Sequence, residues 1–326
     1  MTRTSTEPGT AARTRVVLRR WLGRAASAAL VVWGAATAAF LAQIAQPGDR
    51  ATSIINLRSG QTQERTPEEL APINAQYGFD QPVLVQYGDY LAGLLRGDLG
   101  ISYQQHRPVL DLIGEQIGPT ILLTATALVL AWLLMLAWVL LTAGRTRRIS
   151  ALSAAVDTVL AGLPQYWIGV LLLLAFALGL GWFPVLGGSG LAGTALPALA
   201  LALPLAGFLG QATRTEFERV LAQPFVLSAR TRGTPETVLR LRHVLRHAAP
   251  APLMLTGWAL GATVSGAVIV ETLFTRRGIG RTLVTAVEAQ DLPVVTGIVV
   301  LIALLYVAIT AVVDALHLII DPRLTA

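Results

Sequence analysis

Lysine is missing from this chain of 326 residues; all 25 of its basic side chains are arginine. A Walker-type phosphate loop needs a lysine to reach the nucleotide, so the chain carries no such ATP site. Cysteine is missing too. That removes disulfides and thiol chemistry, but it leaves the compartment open, because a membrane protein needs neither. Charge is scarce as well, at 13% of residues, where a soluble domain of ordinary composition carries about a quarter.

What fills the gap is apolar. Hydrophobic residues make up 54% of the sequence, and the mean hydropathy is +0.61. Runs long enough to cross ~30 Å of hydrocarbon, which takes about 20 helical residues, occur six times: Trp21–Ile44, Thr120–Ala143, Ser153–Leu180, Ala195–Thr213, Pro252–Leu273 and Val294–Leu318. Lipid offers backbone groups no partner, so each run must be helical. The expected fold is an all-α polytopic membrane protein with six transmembrane helices. An Ala36-Thr37-Ala38 match to a signal-cleavage site lies inside a run that continues to Ile44. Signal cores are shorter than that, so the first span is read as retained.

The net charge of +6 is distributed as in a membrane protein and gives no reason to invoke nucleic acid. Six arginines (Arg3, Arg13, Arg15, Arg19, Arg20, Arg24) lie at or before the start of the first span, three (Arg145, Arg147, Arg148) follow the second, and seven lie between Arg214 and Arg246. With Arg323, 17 of the 25 fall on the side of the N-terminus. The positive-inside rule makes that side cytoplasmic, with both termini inside. Ala45–Gly118, with nine acids against five arginines, falls outside.

That outer segment is patterned. Thr66-Pro67-Glu68-Glu69 reads as N-cap, first-turn proline and two acids at a helix start, and Gly78 ends the helix. A second helix is predicted from about Gln81 to Arg96, with Leu84, Tyr87, Leu91 and Leu95 as its apolar face. It packs on the membrane surface or a neighbouring span, or else it docks an outside partner. Pro164 in the third run, and Pro197 and Pro204 in the fourth, predict kinked spans. Gly257, Gly261 and Ser265 repeat every four residues, a pattern that lets another helix backbone approach. Acids inside runs are few. Asp157, Glu271 and Asp314 all lie within about two turns of a span end, which favours interfacial or structural roles over proton coupling; Glu271 and Pro164 are also read as candidate gate residues.

The most informative stretch is Pro224–Pro252. Phe225–Arg232 predicts a short helix ended by Gly233. Thr234 then caps a second helix with Pro235 first and Glu236 in its opening turn. Val238, Leu241 and Leu245 form a ridge, and Arg240, Arg242 and Arg246 lie on other faces. Such a basic loop between spans suits insertion into a partner's groove or contact with anionic membrane lipid. His243 and His247 have metal-ligand spacing, but Val244 stands where a zincin needs glutamate and the flanking arginines repel a cation. No metal, cofactor or catalytic group is assigned.

Ser228-Ala229-Arg230-Thr231-Arg232-Gly233 followed by Leu241-Arg242-His243-Val244-Leu245-Arg246 resembles the EAA loop of ABC importer permeases, in particular the dipeptide/oligopeptide/nickel class. The resemblance continues in Pro47-Gly48-Asp49, Tyr77-Gly78-Phe79-Asp80-Gln81-Pro82, Arg96-Gly97-Asp98-Leu99-Gly100, Arg107-Pro108-Val109, Leu163-Pro164-Gln165-Tyr166-Trp167, Val270-Glu271-Thr272-Leu273-Phe274, Gly278-Ile279-Gly280, Asp291-Leu292-Pro293-Val294-Val295 and Asp321-Pro322-Arg323. Thr231 and Arg232 depart from the family's usual alanine and lysine.

The resemblance implies the type I importer fold and a bacterial inner-membrane location. The implied partners are a homologous second permease, two cytoplasmic ATPase subunits and an extracytoplasmic substrate-binding protein. It implies import of di- or oligopeptides, or of nickel or a metal chelate, with ATP hydrolysis left to the partner chains. It makes Ser228, Ala229, Arg230, Arg232, Gly233, Glu236, Leu241, Arg242 and Leu245 the ATPase-coupling residues. A stand-alone proton-coupled carrier or receptor is the alternative of another class. The scheme is a cytoplasmic N-terminus (1–20), a first span (21–44), an outer segment (45–118), a five-helix core (115–318, coupling loop 214–250) and a cytoplasmic C-terminus (319–326).

Overall fold

The computed structural model describes residues 10–45, 48–61, 63–185, 187–188 and 190–320. Arg3, Pro47 and the Asp321-Pro322-Arg323 ending lie outside the described residues, and the side chain of Asp314 is likewise not described. The described residues are helical, without a strand. Their helices in order are α1 (Thr10–Ala45), α2 (Arg50–Ser59), α3 (Pro67–Tyr77), α4 (Val83–Leu95), α5 (Val109–Thr142), α6 (Arg147–Gly162), α7 (Gln165–Leu172), α8 (Gly190–Leu221), α9 (Pro224–Thr231), α10 (Glu236–Val238), α11 (Leu245–Ala248), α12 (Pro250–Leu273), α13 (Ile279–Glu288) and α14 (Leu292–Ile320). Leu173–Gly179 and Leu239–Val244 are π-helical continuations of α7 and α10.

Among the described residues five helices are long and apolar enough to cross a membrane, in Leu22–Ala45, Val109–Thr142, Gly190–Leu221, Pro250–Leu273 and Leu292–Val313; counted as one span, a bent pair brings the number to six. In that pair the sequence expectation needs correction. The third run is not one kinked helix: α6 and the α7 segment meet at an angle of 100°. Leu163 is extended (φ −78°, ψ 132°) and Pro164 stands at the cap of the next helix, because a residue before proline is pushed out of the helical region. In contrast, α8 runs as one helix through Pro197 and Pro204, both buried.

The chain divides into two compact units, Met1–Val109 with Asp291–Ala308, and Leu110–Gln290 with Ile309–Ala326. In the first, α2 is capped by Asp49, which accepts from the Thr52 amide at 2.8 Å, and ends at Gly60 in the left-handed region. Helix α3 begins as predicted. Pro67 is its first residue, Glu69 reaches back to the Thr66 amide at 3.0 Å, and Gly78 terminates it at φ +66°. Helix α4 does pack on a span, through only part of the predicted face. Phe40 of α1 lies against Tyr87 (5.1 Å) and Tyr90 (5.5 Å), whereas Leu84 and Leu95 are 83% and 90% exposed. Tyr87 and the half-buried Leu91 belong to the predicted face, Tyr90 joins them, and the leucines at the two ends are left out. The buried Asp291 carboxylate accepts from Ser102 Oγ and from the backbone amides of Tyr103 (3.0 Å) and Gln104 (3.3 Å).

In the second unit α6 lies against α8 at van der Waals range. A Cβ on Gly207 would come within 2.7 Å of the Asp157 carbonyl oxygen, so only glycine permits the approach. One apolar cluster joins Met135, Val139, Leu209, Phe217, Val226, Ala229, Leu239 and Val244, and a second joins Leu123, Leu196, Leu201, Val270 and Phe274.

Candidate coupling surface

The loop after α8 is seated from below by its own apolar residues. Helix α9 opens with Pro224 and turns Val226 and Ala229 into the core. It ends where the Gly233 amide donates to the Arg230 carbonyl (2.9 Å) and that of Thr234 to Ala229 (3.2 Å). Gly233 has φ +77°, a conformation in which a Cβ is strained. A Cβ there would meet nothing within 4 Å; the backbone, not crowding, demands glycine. The second helix starts one residue later than predicted, at Glu236, with Pro235 rather than Thr234 at its cap.

The structure sorts the predicted coupling residues into three sets. Ser228, Arg230, Arg232, Gly233, Leu241 and Arg242 face outward, Glu236 and Leu245 are half-buried, and Ala229 is buried. Leu227 is 65% exposed, as are Val238 (41%) and Leu241 (55%) of the ridge read from the sequence; Arg232 and Arg242 are exposed too. Leu245, read from the sequence as part of that ridge, packs on the core instead. Glu236 bonds Arg230 (3.3 Å) and Arg240 (3.1 Å). Burial raises its carboxyl, but the two guanidinium partners outweigh that and hold it below its ordinary value. His247 lies 5.1 Å from the Phe225 ring.

Two arginines counted as loop cations are inside. Arg240 is 5% and Arg214 4% exposed. Arg214 pairs with Asp157 across α8 and α6 at 2.8 Å and donates to Thr142 Oγ1 at 2.9 Å. The available signal for this pair was an acid within one apolar run and an arginine directly after the next. Asp157 is therefore a structural partner buried between helices, one of the two roles expected from the sequence.

Glu271 is fully buried near the end of α12. It accepts from Thr120 Oγ1 of α5 (2.6 Å) and from the amides of Gly280 (2.8 Å) and Arg281 (3.3 Å) at the start of α13. This explains the Gly278-Ile279-Gly280 motif: a Cβ on Gly278 would strike the Glu271 carboxylate, and one on Gly280 the Val268 backbone. Of the small-residue stripe, Gly257 admits Val313 of α14, Gly261 is half-buried and Ser265 is exposed.

Residues 134–326 match the family model described as "Binding-protein-dependent transport system inner membrane component", and residues 14–124 match the N-terminal model of the same systems. The chain belongs to this family of transport permeases. Its fold is thus the type I ABC importer permease fold, and the protein is a multi-pass, non-enzymatic inner-membrane component that works with other ABC components. The permease is 32% identical to a glutathione transport system permease protein of Escherichia coli O6:H1 over 85% of this chain and 89% of that protein. It is 33% identical to proteins described as peptide transport system permeases in Brucella abortus and Brucella suis, over 93% of this chain and 97% of theirs.

Proposed function

We propose that the permease is the translocation-pore subunit of an ATP-driven peptide importer. It pairs with a homologous second permease, receives solute from an extracytoplasmic binding protein, and takes its power stroke from two cytoplasmic ATPases. The observation that carries the coupling reading is the exposure of Leu227, Val238 and Leu241, together with Arg232 and Arg242, on a loop whose inner side is seated in the core. Exposed apolar and cationic side chains together suit a groove on a folded partner. ATP-driven closure then biases the spans between inward- and outward-facing states. Short peptides are the proposed solute class, in keeping with relatives named for glutathione and peptide transport.

In this reading both termini are cytoplasmic, Ala45–Gly118 is outside, and 115–318 is the core. The test is affinity purification of the tagged permease from its native membrane. Two ATPase chains and a sister permease are expected with it, and substituting Leu227 and Leu241 by aspartate should remove the ATPases alone. Recovery of the ATPases with that double variant refutes the coupling reading. A reporter within Glu64–Leu70 should be labelled from outside intact cells; labelling only after permeabilisation refutes the orientation.

A further inference from the structure

Helix α5 ends at Thr142, and the carbonyls of a last helical turn lack intrahelical partners. Arg240, from the loop, supplies a partner for one of them and for the carbonyl just past the helix: its Nη1 donates to Leu140 O at 3.0 Å and Ala143 O at 2.8 Å. Its Nε donates to Glu236 at 3.1 Å, and its guanidinium carbon stands 5.8 Å from the Phe217 ring of α8. The turn that follows α5 is held from α8 as well. Glu218 accepts from the Gly144 amide (3.3 Å) and from Ser150 Oγ (2.6 Å), while Arg214 bonds Thr142.

These contacts differ in kind from the loop's others. Val226, Ala229, Leu239, Val244 and Ala248 meet the core through apolar surface, and such contact is non-directional. A charge-assisted bond to two carbonyls fixes geometry, and a cation at a helix C-terminus is electrostatically favoured. Apolar surfaces can slide over each other; the Arg240 bonds must either hold or break. The π-helical turn Leu239–Val244 sets Leu239, Arg240 and Val244 inward together, so the arginine reaches the α5 end while Leu241 and Arg242 stay on the outer side.

We propose that Arg240 is the positioning residue through which displacement of the loop is passed into α5 and the α5–α6 turn. This rests on the coupling reading above. Movement of α9–α11 pulls the α5 C-terminus, and through Glu218 and Arg214 it carries the start of α6 and the Asp157 contact with it.

The absence of lysine supplies a local probe, because trypsin can cut only at arginine. Arg145, Arg147 and Arg148 lie exposed in and just after the turn. The purified complex in nanodiscs is digested with and without a non-hydrolysable ATP analogue, and cleavage at these three sites is followed by mass spectrometry. In the natural protein the analogue should change their cleavage rate several-fold. In Arg240→Gln the turn should be cut several-fold faster and at the same rate with or without the analogue, while the ATPases co-purify in normal amount. A merely structural role would not remove the nucleotide response alone. Arg240→Lys keeps the charge and one carbonyl bond at most. It should retain a reduced response, and it replaces the glutamine variant should that fail to accumulate. A full nucleotide response in both variants overturns the proposal. So does loss of the ATPases from them, or a natural protein whose turn ignores nucleotide. Failure of any ATPase to co-purify with the natural permease would instead overturn the coupling reading itself.

Discussion

Asp157 on α6 and Arg214 on α8 form an ion pair at 2.8 Å, with side chains only 2% and 5% exposed. Two charges so placed are costly to bring out of water, and removing one strands the other. Gly207 and Gly210 of α8 make room for the pair; a Cβ on Gly210 would come 3.0 Å from the Asp157 carboxylate.

Arg214→Met should therefore destabilise the permease strongly, by about 3–5 kcal/mol. The double variant with Asp157→Leu should recover most of that loss, since no buried charge remains unpaired. Thermal denaturation of the detergent-purified protein measures both. A double variant as unstable as the single one would show that the pair's charges are not the cause.

Gly280→Ala places its methyl 2.3 Å from the Val268 Cα, a backbone atom that cannot turn aside. The forced shift should cost ~1–3 kcal/mol and loosen the α13 start from Glu271. Gly34→Ala on α1, whose Cβ would meet nothing within 4 Å, should be neutral or slightly stabilising. Equal melting temperatures for the two variants would contradict the assigned close approach.

Gly233→Asp and Gly233→Asn test the two demands on that residue separately. Asparagine tolerates positive φ, so its variant should keep ATPase association and most ATP hydrolysis in the assembled complex. Aspartate adds a charge that docking would bury without a partner, at a cost of several kcal/mol. Its variant should insert and pair with the sister permease, yet lose ATPase association and turnover together. Normal association with the aspartate variant would remove Gly233 from the docking face.

Glu236 gives the loop a pH dependence of one sign. Its carboxyl lies below the ordinary value of 4.5 when the loop is ordered, so the unfolded form takes up the proton first as pH falls. The contribution is complete above the ordinary value and is lost as pH drops through the lowered one. The stability gap between the natural protein and Glu236→Gln should hold steady at neutral pH and close in acid. A gap that widened in acid would reverse the assignment.

Much of this was legible in the sequence, because membrane spans announce themselves by length and apolarity. Five runs became helices, although α5 starts well before its run, at Val109, and α8 extends past both ends of its own, from Gly190 to Leu221; α3 began as predicted, where Thr66, Pro67 and Gly78 left little choice. What failed was local. Periodicity put Leu84, Tyr87, Leu91 and Leu95 inward on α4; Tyr87 does meet Phe40, but Tyr90 from outside that stripe joins it while Leu84 and Leu95 stay exposed. Arg214 and Arg240 looked like solvated loop charges. Their partners, Asp157 and the α5 carbonyls, lie 57 and about 100 residues away in sequence, beyond the reach of any spacing rule. Pro164 was read as a kink, although the Leu163-Pro164 step breaks the helix outright.

Asp291 holds its loop in a way that bears on how the sequence can drift. It binds Tyr103 and Gln104 through their backbone amides, not through their side chains. Any residue except proline supplies such an amide. Position 104 is thus free to exchange its exposed glutamine for most other residues without loosening the loop, whereas Asp291, which alone provides both accepting oxygens, has no such freedom.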